Sequence, residues 1–360
     1  MKKLLPYLLL LFCGFAYAQV QVLSGYIYDE TEKKPLEGAY VYLDGTTFSA
    51  STDARGFFHI NVPHAYNAQL VMSFVGFETM RIDNPFQYTK PIKTFLREDA
   101  TELDEVVITN KSPFTRKQML KAFREQFLGR SKAGRSCKIE NEDDIYLYYD
   151  ESIHALKARC RKPIRIINKE LEYKLNFDLM AFEVNYNTTS LDDNYLRKSF
   201  FAGTSFFTDI SARGLAEAKR KKAYVGSVTH LMHTMRGGDW QSQKFSLYID
   251  KLPANPSDYF KISDSLTYRK ITINDSLIEA TRPKLQLSLS HAKPSKYRGM
   301  DFIILHDMDT RKQSAINFER GTFYIDRNGL FFPLDAMLFK GYMGSLKAGD
   351  LLPTDYIYTP

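Results

Sequence analysis

Long apolar runs are almost missing from this 360-residue chain. The one present, Leu4 to Phe15, is too short to span a bilayer comfortably and is interrupted by Pro6. No later stretch approaches the roughly 20 apolar residues of a membrane-spanning helix, so none is expected. Low-complexity tracts are also missing, and 44% hydrophobic with 25% charged residues describe a globular chain. There is no strong basic excess: the formal charge is +7, and acidic residues are spread throughout. That balance argues against nucleic-acid binding and leaves a mildly basic surface toward anionic lipid or glycan. Cysteine is rare, with three residues, and Trp240 is the single tryptophan. Nucleophile elbows of the Gly-x-Ser-x-Gly type, phosphate loops of the Gly-x-x-x-x-Gly-Lys type and the Gly-x-Gly-x-x-Gly fingerprint do not occur. No catalytic residue, cofactor or metal is therefore assigned.

What the chain has begins with a leader pattern. Lys2 and Lys3 precede the short apolar run, and Ala16-Tyr17-Ala18 supplies small-x-small, so cleavage before Gln19 is expected. Lipidation at Cys13 is the weaker alternative, because Phe12 stands where a small residue is needed. Losing Lys2 and Lys3 lowers the charge by two, to +5. An exported chain would meet an oxidising compartment, where Cys137 and Cys160 either form a disulfide or stand as two buried thiols.

From Val22 to Thr109, short alternating segments are separated by turn residues. They run Ser24–Asp29, Tyr40–Leu43, Phe57–Val62, Leu70–Phe77, Pro91–Leu96 and Val106–Ile108. Asp44-Gly45 and Asp53-Ala54-Arg55-Gly56 mark bends, the aspartates accepting local hydrogen bonds and Gly56 taking positive φ. The pattern predicts an all-β sandwich of about seven strands. Gly25-x-x-x-Asp29, Pro35-Leu36-x-Gly38-Ala39-x-Val41, Thr52-Asp53-x-x-Gly56-x-Phe58 and Ser73-Phe74-Val75-Gly76-Phe77 follow in order. This set resembles the carboxypeptidase-regulatory-like domain. Leu103-Asp104-Glu105-Val106-Val107-Ile108 is similar to the end of that domain in TonB-dependent outer-membrane receptors of Gram-negative bacteria. The resemblance covers about a quarter of the chain. It implies a prealbumin-like sandwich that is not itself catalytic. Zinc carboxypeptidases carrying such a domain use His-x-x-Glu, and none of the seven histidines here has Glu at the third following position.

Ser112-Pro113 reads as a helix start, Met119, Leu120, Phe123 and Phe127 repeat at helical spacing, and Gly129 reads as its stop. A helix docked on a sheet is expected, with a membrane-surface helix as the sharper alternative. Strand patterns follow from Ile145 onward. Alternation through Tyr173, Leu175, Phe177 and Leu179 shifts phase before Phe182, Val184 and Tyr186, which predicts a β-bulge near Met180-Ala181. Arg213 to Met235 reads as helical, with a break at Gly226-Ser227 and a stop at Gly237-Gly238. Strands resume beyond, giving an α+β domain with a mostly antiparallel sheet. Ile164-x-Ile166-Ile167-Asn168, Tyr173-x-Leu175 and Lys222-Ala223-Tyr224-x-Gly226-Ser227 resemble the soluble region after the regulatory-like domain in larger envelope proteins. A barrel is not expected, since the chain ends at Pro360 without the usual terminal aromatic.

The expected organisation is a leader over 1–18, the sandwich over 19–109, a connecting amphipathic helix over 110–130 and an α+β domain over 131–360. Candidate surface residues are few. Lys219-Arg220-Lys221-Lys222 reads as a solvated helix face or an anion contact. Trp240 reads as a core or rim aromatic, or as a platform for a sugar ring. His230 and His233 stand at i and i+3, a spacing that can bind metal, yet no third ligand is evident. Asp143, Asp144, Asp150 and Glu151 read as turn charge. The functional expectation is a non-catalytic envelope protein, periplasmic or peripherally associated with the outer membrane, that binds a protein or glycan partner. The alternative is an uncharacterised hydrolase with its site in 131–360.

Overall fold

The computed structural model describes residues 20–99, 112–212, 214–249, 251–277 and 302–359. The leader and the segments Val106–Ile108 and Leu285–Leu289 lie outside these residues. Contacts divide the chain into two units: Met1–Asp44 with Phe48–Glu102, and Gly45–Thr47 with Leu103–Pro360.

The first unit contains β1 (Gln21–Asp29), β2 (Tyr40–Leu43), β3 (Ser49–Ser51), β4 (Phe57–Val62), β5 (Leu70–Ser73), β6 (Met80–Ile82) and β7 (Ile92–Leu96). They form two sheets, ordered β4-β1-β7 and β3-β2-β5-β6. Alternation sets which side chains face inward: Phe58, Ile60 and Val62 of β4 meet Ile27, Val41, Leu43, Leu70 and Met72 in one apolar core. The polar motif residues fix the bends. Thr52 donates its hydroxyl to the Leu36 carbonyl (2.5 Å) and accepts the Ala39 N–H (2.8 Å). The Asp53 carboxylate accepts the N–H groups of Arg55 and Phe57, both at 2.9 Å. Gly56 has φ +73°, and a Cβ there would lie 2.4 Å from the Ile27 carbonyl oxygen. The apolar segment from Leu70 stops as a strand at Ser73 rather than running to Phe77. A turn follows, closed by Phe77 N–H to the Phe74 carbonyl, and Val75 stands 93% exposed.

The second unit opens with α1 (Arg116–Leu128). Its cap is Thr115, three residues beyond the expected Ser112, because Thr115 and Gln118 complete a reciprocal capping box. A short α2 (Lys132–Ser136) leads into β8 (Cys137–Ile139), β9 (Ile145–Asp150), β10 (Ala155–Cys160), β11 (Ile164–Asn168), β12 (Tyr173–Tyr186) and β13 (Leu196–Asp209). These make a six-stranded sheet ordered β8-β11-β12-β10-β9, with β13 on β12. The register of β12 against β13 slips between Leu179 and Ala181, leaving Met180 62% exposed. The phase shift in the sequence is thus a bulge. Phe123 and Phe127 of α1 pack on Phe182 and Phe177, with ring centroids 4.7 and 5.1 Å apart. Arg116 donates to the carbonyls of Ile145 and Glu142, so α1 is a sheet-docked helix rather than a membrane-surface one.

Next come α3 (Glu217–Tyr224) and α4 (Val228–Gly237). They break at Gly226, φ +82°, and Ser227 caps α4 by accepting the His230 N–H. The remaining elements are β14 (Phe245–Ile249), β15 (Leu252–Ala254), α5 (Pro256–Tyr259), β16 (Phe260–Ser265), β17 (Tyr268–Ile273), β18 (Phe302–His306), β19 (Ser314–Phe318), β20 (Thr322–Ile325), β21 (Phe331–Phe332), β22 (Met337–Lys340) and α6 (Gly341–Ser345). Two antiparallel sheets result, β15-β14-β18-β19-β22 and β16-β17-β20-β21. Leu231, Met232 and Met235 of α4 enter the core with Phe302, Phe318 and Phe323. Past Leu330 two short strands, β21 and β22, alternate with turns and short helices. The class is an all-β unit followed by an α+β unit.

Candidate functional site

An open groove of about 640 Å³ lies on the second unit. The β14–β15 hairpin forms one side and the turn 238–244 another, with Asp307 and Met308 closing an end. Its lining includes Tyr248, Pro253, Asn255 and Met308, and Met308 is 61% exposed. The Met308 sulfur accepts from the Ser246 and Tyr248 hydroxyls, at 3.7 and 3.8 Å. Lys244 pairs with Asp307 at 3.4 Å. Lys244, Asp307 and Met308 all hold positive φ, of 56°, 51° and 54°. Left-handed backbone at non-glycine residues is costly, and such strain tends to gather where a surface is shaped for use.

Trp240 lines this groove but does not present a face to it. The indole stacks on Phe260 with centroids 5.9 Å apart and planes 1° from parallel, and Phe245 meets it edge-on. Only 8% of Trp240 is exposed. The sugar-platform reading is corrected accordingly: the ring is committed to the core.

The basic run is corrected too. Arg220 is 5% exposed. Its guanidinium donates to the Leu171 carbonyl (2.8 Å) and the Glu172 carbonyl (3.0 Å), and forks onto Asp209 at 2.7 and 2.8 Å. It also lies 3.7 Å over the Tyr173 ring. Lys219 pairs with Glu172, and Lys221 donates to the Thr359 carbonyl. Lys222 alone is left as an exposed cation of the run. Cys137 and Cys160 are free thiols, donating to the separate carbonyls of Ala133 and Asp144. The disulfide alternative fails, and burial pushes the Cys137 thiol up to about 12, far from a reactive thiolate. Asp143 and Asp144 precede β9, whereas Asp150 is its last residue and Glu151 follows it, so the two pairs stand at opposite ends of the strand.

The histidines sit in a buried aromatic cluster that the sequence did not reveal. His230 Nδ1 accepts the Gly226 N–H (3.1 Å), so Nε2 carries the proton and donates to Gln243 (2.9 Å). His233 Nε2 donates to the Arg327 carbonyl (3.2 Å), and Nδ1 accepts the Tyr224 hydroxyl (2.7 Å). His306 lies with its ring centroid 5.3 Å from that of His230. Burial lowers all three imidazoles and raises the Tyr224 phenol to about 12. With both nitrogens of His230 and His233 engaged, the pair does not serve as metal ligands. Among the described residues no three His, Cys, Asp or Glu side chains gather as a metal site.

A second, smaller cleft of about 160 Å³ opens between the α3–α4 junction and the segment 343–356. Tyr224, His233, Met343, Leu346, Lys347 and Asp350 are on its walls.

No curated protein matches the chain. Among solved structures, one similar chain belongs to the Coh3ScaB–XDoc_M1ScaA complex, an N-terminal interface mutant of a type II cohesin–X-dockerin complex from Acetivibrio cellulolyticus. Identity is 26% over 21% of this chain and 52% of that one, and the TM-score of 0.17 makes it no guide to fold or function. Residues 23–108 match the family described as CarboxypepD_reg-like domain. That stretch begins in β1 and contains every bend built by Thr52, Asp53 and Gly56, so the N-terminal sandwich is a carboxypeptidase-regulatory-like domain.

Proposed function

We propose that the protein is an exported, non-catalytic binding module of the cell envelope. On this reading the regulatory-like sandwich is a rigid adaptor, and the second unit takes an extended segment of a protein partner. The open groove beside Met308 carries the reading, supported by the left-handed backbone at Lys244, Asp307 and Met308. A protein segment is favoured over a glycan because the Trp240 indole spends its face on Phe260 and is not open to a sugar ring. The competing hydrolase reading needs an activated nucleophile. Among the described residues the shorter hydroxyl–imidazole contact is that of Tyr224 with His233 (2.7 Å), and burial raises this phenol to about 12, the direction that weakens a nucleophile.

The test is site-specific photo-crosslinking in envelope fractions. A crosslinker at position 308 should capture a discrete protein, while one at the exposed Leu266 should not. With the crosslinker moved to position 248 of the same groove, Met308→Asp should weaken capture at least about tenfold. Equal capture from both positions, or turnover of a generic ester or peptide panel by the purified chain, would overturn the reading. Export is checked separately by sequencing the mature N-terminus, expected at Gln19.

A further inference from the structure

We propose that the outer face of the sheet β4-β1-β7 is a docking track for an anionic polysaccharide, a chain of sugars carrying carboxylates. The track lies in the first unit and the groove in the second, so this inference stands apart from the partner reading.

Strand alternation builds the track. In β1, Ile27 and Asp29 are buried, which turns Tyr26 and Tyr28 to the outer side. Burial of Phe58 and Ile60 does the same for Phe57 of β4. Burial of Ile92, Thr94 and Leu96 does so for Lys93 and Phe95 of β7. Register then sets Tyr26 between Phe57 and Lys93, and Tyr28 beside Phe95. From Phe57 through Tyr26 and Tyr28 to Phe95 the rings follow one another with centroids 5.1, 6.4 and 5.6 Å apart. No outer position of these three strands is Asp or Glu.

One end of this path is cationic. Lys33 Nζ lies 4.8 Å and Lys93 Nζ 5.4 Å from the centroid of the same Phe95 ring. The turn after β1 puts Lys33 there. Asp29 accepts the N–H groups of Thr31 (2.6 Å) and Glu32 (3.0 Å), and Lys33 takes φ +56°, a conformation costly for any residue with a side chain. The neighbouring carboxylates of Glu30 and Glu32 are taken by Arg97 and Lys34. Among the described residues neither Lys33 nor Lys93 has a carboxylate partner. Two ammonium groups gathered at one ring repel each other, and an anion between them relieves that.

The path behind the cations sets the rest of the ligand. Aromatic bodies cover the apolar C–H faces of a sugar ring. The Tyr26 and Tyr28 hydroxyls have no hydrogen-bond partner among the described residues and are available to sugar hydroxyls. A free inorganic anion would meet the ammonium groups and leave the rings unused. A bilayer fits less well, because the four rings are half-buried in a sheet face and do not project as an apolar wedge.

Isothermal titration of the full mature chain with hexamers of galacturonate, mannuronate and guluronate tests this. At least one should bind saturably. Its methyl ester, which keeps the sugars and loses the charge, should bind at least about tenfold more weakly. The double variant Lys33→Ala, Lys93→Ala and the single variant Tyr26→Ala should each weaken binding about tenfold or more, with calorimetric melting of the first unit unchanged. Met308→Asp, in the groove, should leave binding as it was. Should a variant fail to fold, the ester comparison still decides the matter on the unaltered protein. Absence of saturable binding by any hexamer at about 1 mM, or equal affinity for the ester, overturns the assignment. So does a loss confined to the lysine variant, which would reduce the track to simple charge attraction. Binding to phosphatidylglycerol vesicles without binding to any hexamer would overturn it in favour of a membrane.

Discussion

Replacing Arg220 by methionine should destabilise the second unit by about 3 kcal/mol. The substitution keeps the length and apolar bulk of the side chain and removes its donors. The Leu171 carbonyl loses its guanidinium partner, whereas the Glu172 carbonyl keeps the Ile210 N–H at 3.0 Å. Each buried acceptor left unmet costs about 1–3 kcal/mol. Asp209 loses a two-bond fork, but its side chain is 48% exposed and recovers water, so its share is discounted. Contact with the Tyr173 face adds a further ~0.5–1 kcal/mol. Urea denaturation followed by Trp240 emission is a suitable assay, since this single tryptophan lies in the core of the same unit. Lys222→Met is the control and should stay within about 0.5 kcal/mol of the parent. Arg220→Lys should recover only part of the loss, because an ammonium cannot reproduce the planar fork. A midpoint for Arg220→Met indistinguishable from that of Lys222→Met would refute the claim that this cation is structural. The fork also holds the Asp209 carboxyl well below its usual range. Its contribution should therefore be intact above about pH 3.9 and fade as pH falls below it.

The buried imidazoles give a second pH window. His230, His233 and His306 are all depressed by burial, with Lys244, Lys312 and Arg236 nearby adding to the effect and Asp307 opposing it. The unfolded chain then binds protons first, so stability should be full above about pH 6.5 and fall as acid reaches the lower folded-state values. Melting temperatures by Trp240 emission between neutrality and mild acid should show this, and His306→Gln should flatten the slope. Gly203→Ala should cost about 1–3 kcal/mol by the same urea assay, because its Cβ would lie 2.2 Å from the Asp178 carbonyl oxygen and 2.5 Å from the Phe177 ring. Thr52→Val should lower the calorimetric melting of the first unit by the equivalent of about 1–3 kcal/mol, leaving the Leu36 carbonyl and Ala39 N–H unmet. An unchanged melting profile in that variant would show the motif threonine to be dispensable.

The first unit was legible because its determinants are local. Asp53 bonds residues two and four positions on, Gly56 takes a backbone conformation other residues resist, and alternation along β4 points Phe58, Ile60 and Val62 inward. The bulge at Met180 was equally visible, since one extra residue inverts every following side chain. Even locally, competition misled: Ser112-Pro113 looks like a helix start, but Thr115 with Gln118 offers two capping bonds and wins.

What the amino-acid order determined by itself was therefore periodicity, bends and the family of the N-terminal sandwich. Tertiary structure alone decided which polar and aromatic residues remain available. Arg220 finds its carbonyls 48 and 49 residues away, and Trp240 meets Phe260 across a different sheet. The groove and the cleft likewise assemble from segments distant in the chain. Backbone geometry is encoded by neighbours in sequence, whereas burial and charge pairing depend on neighbours in space.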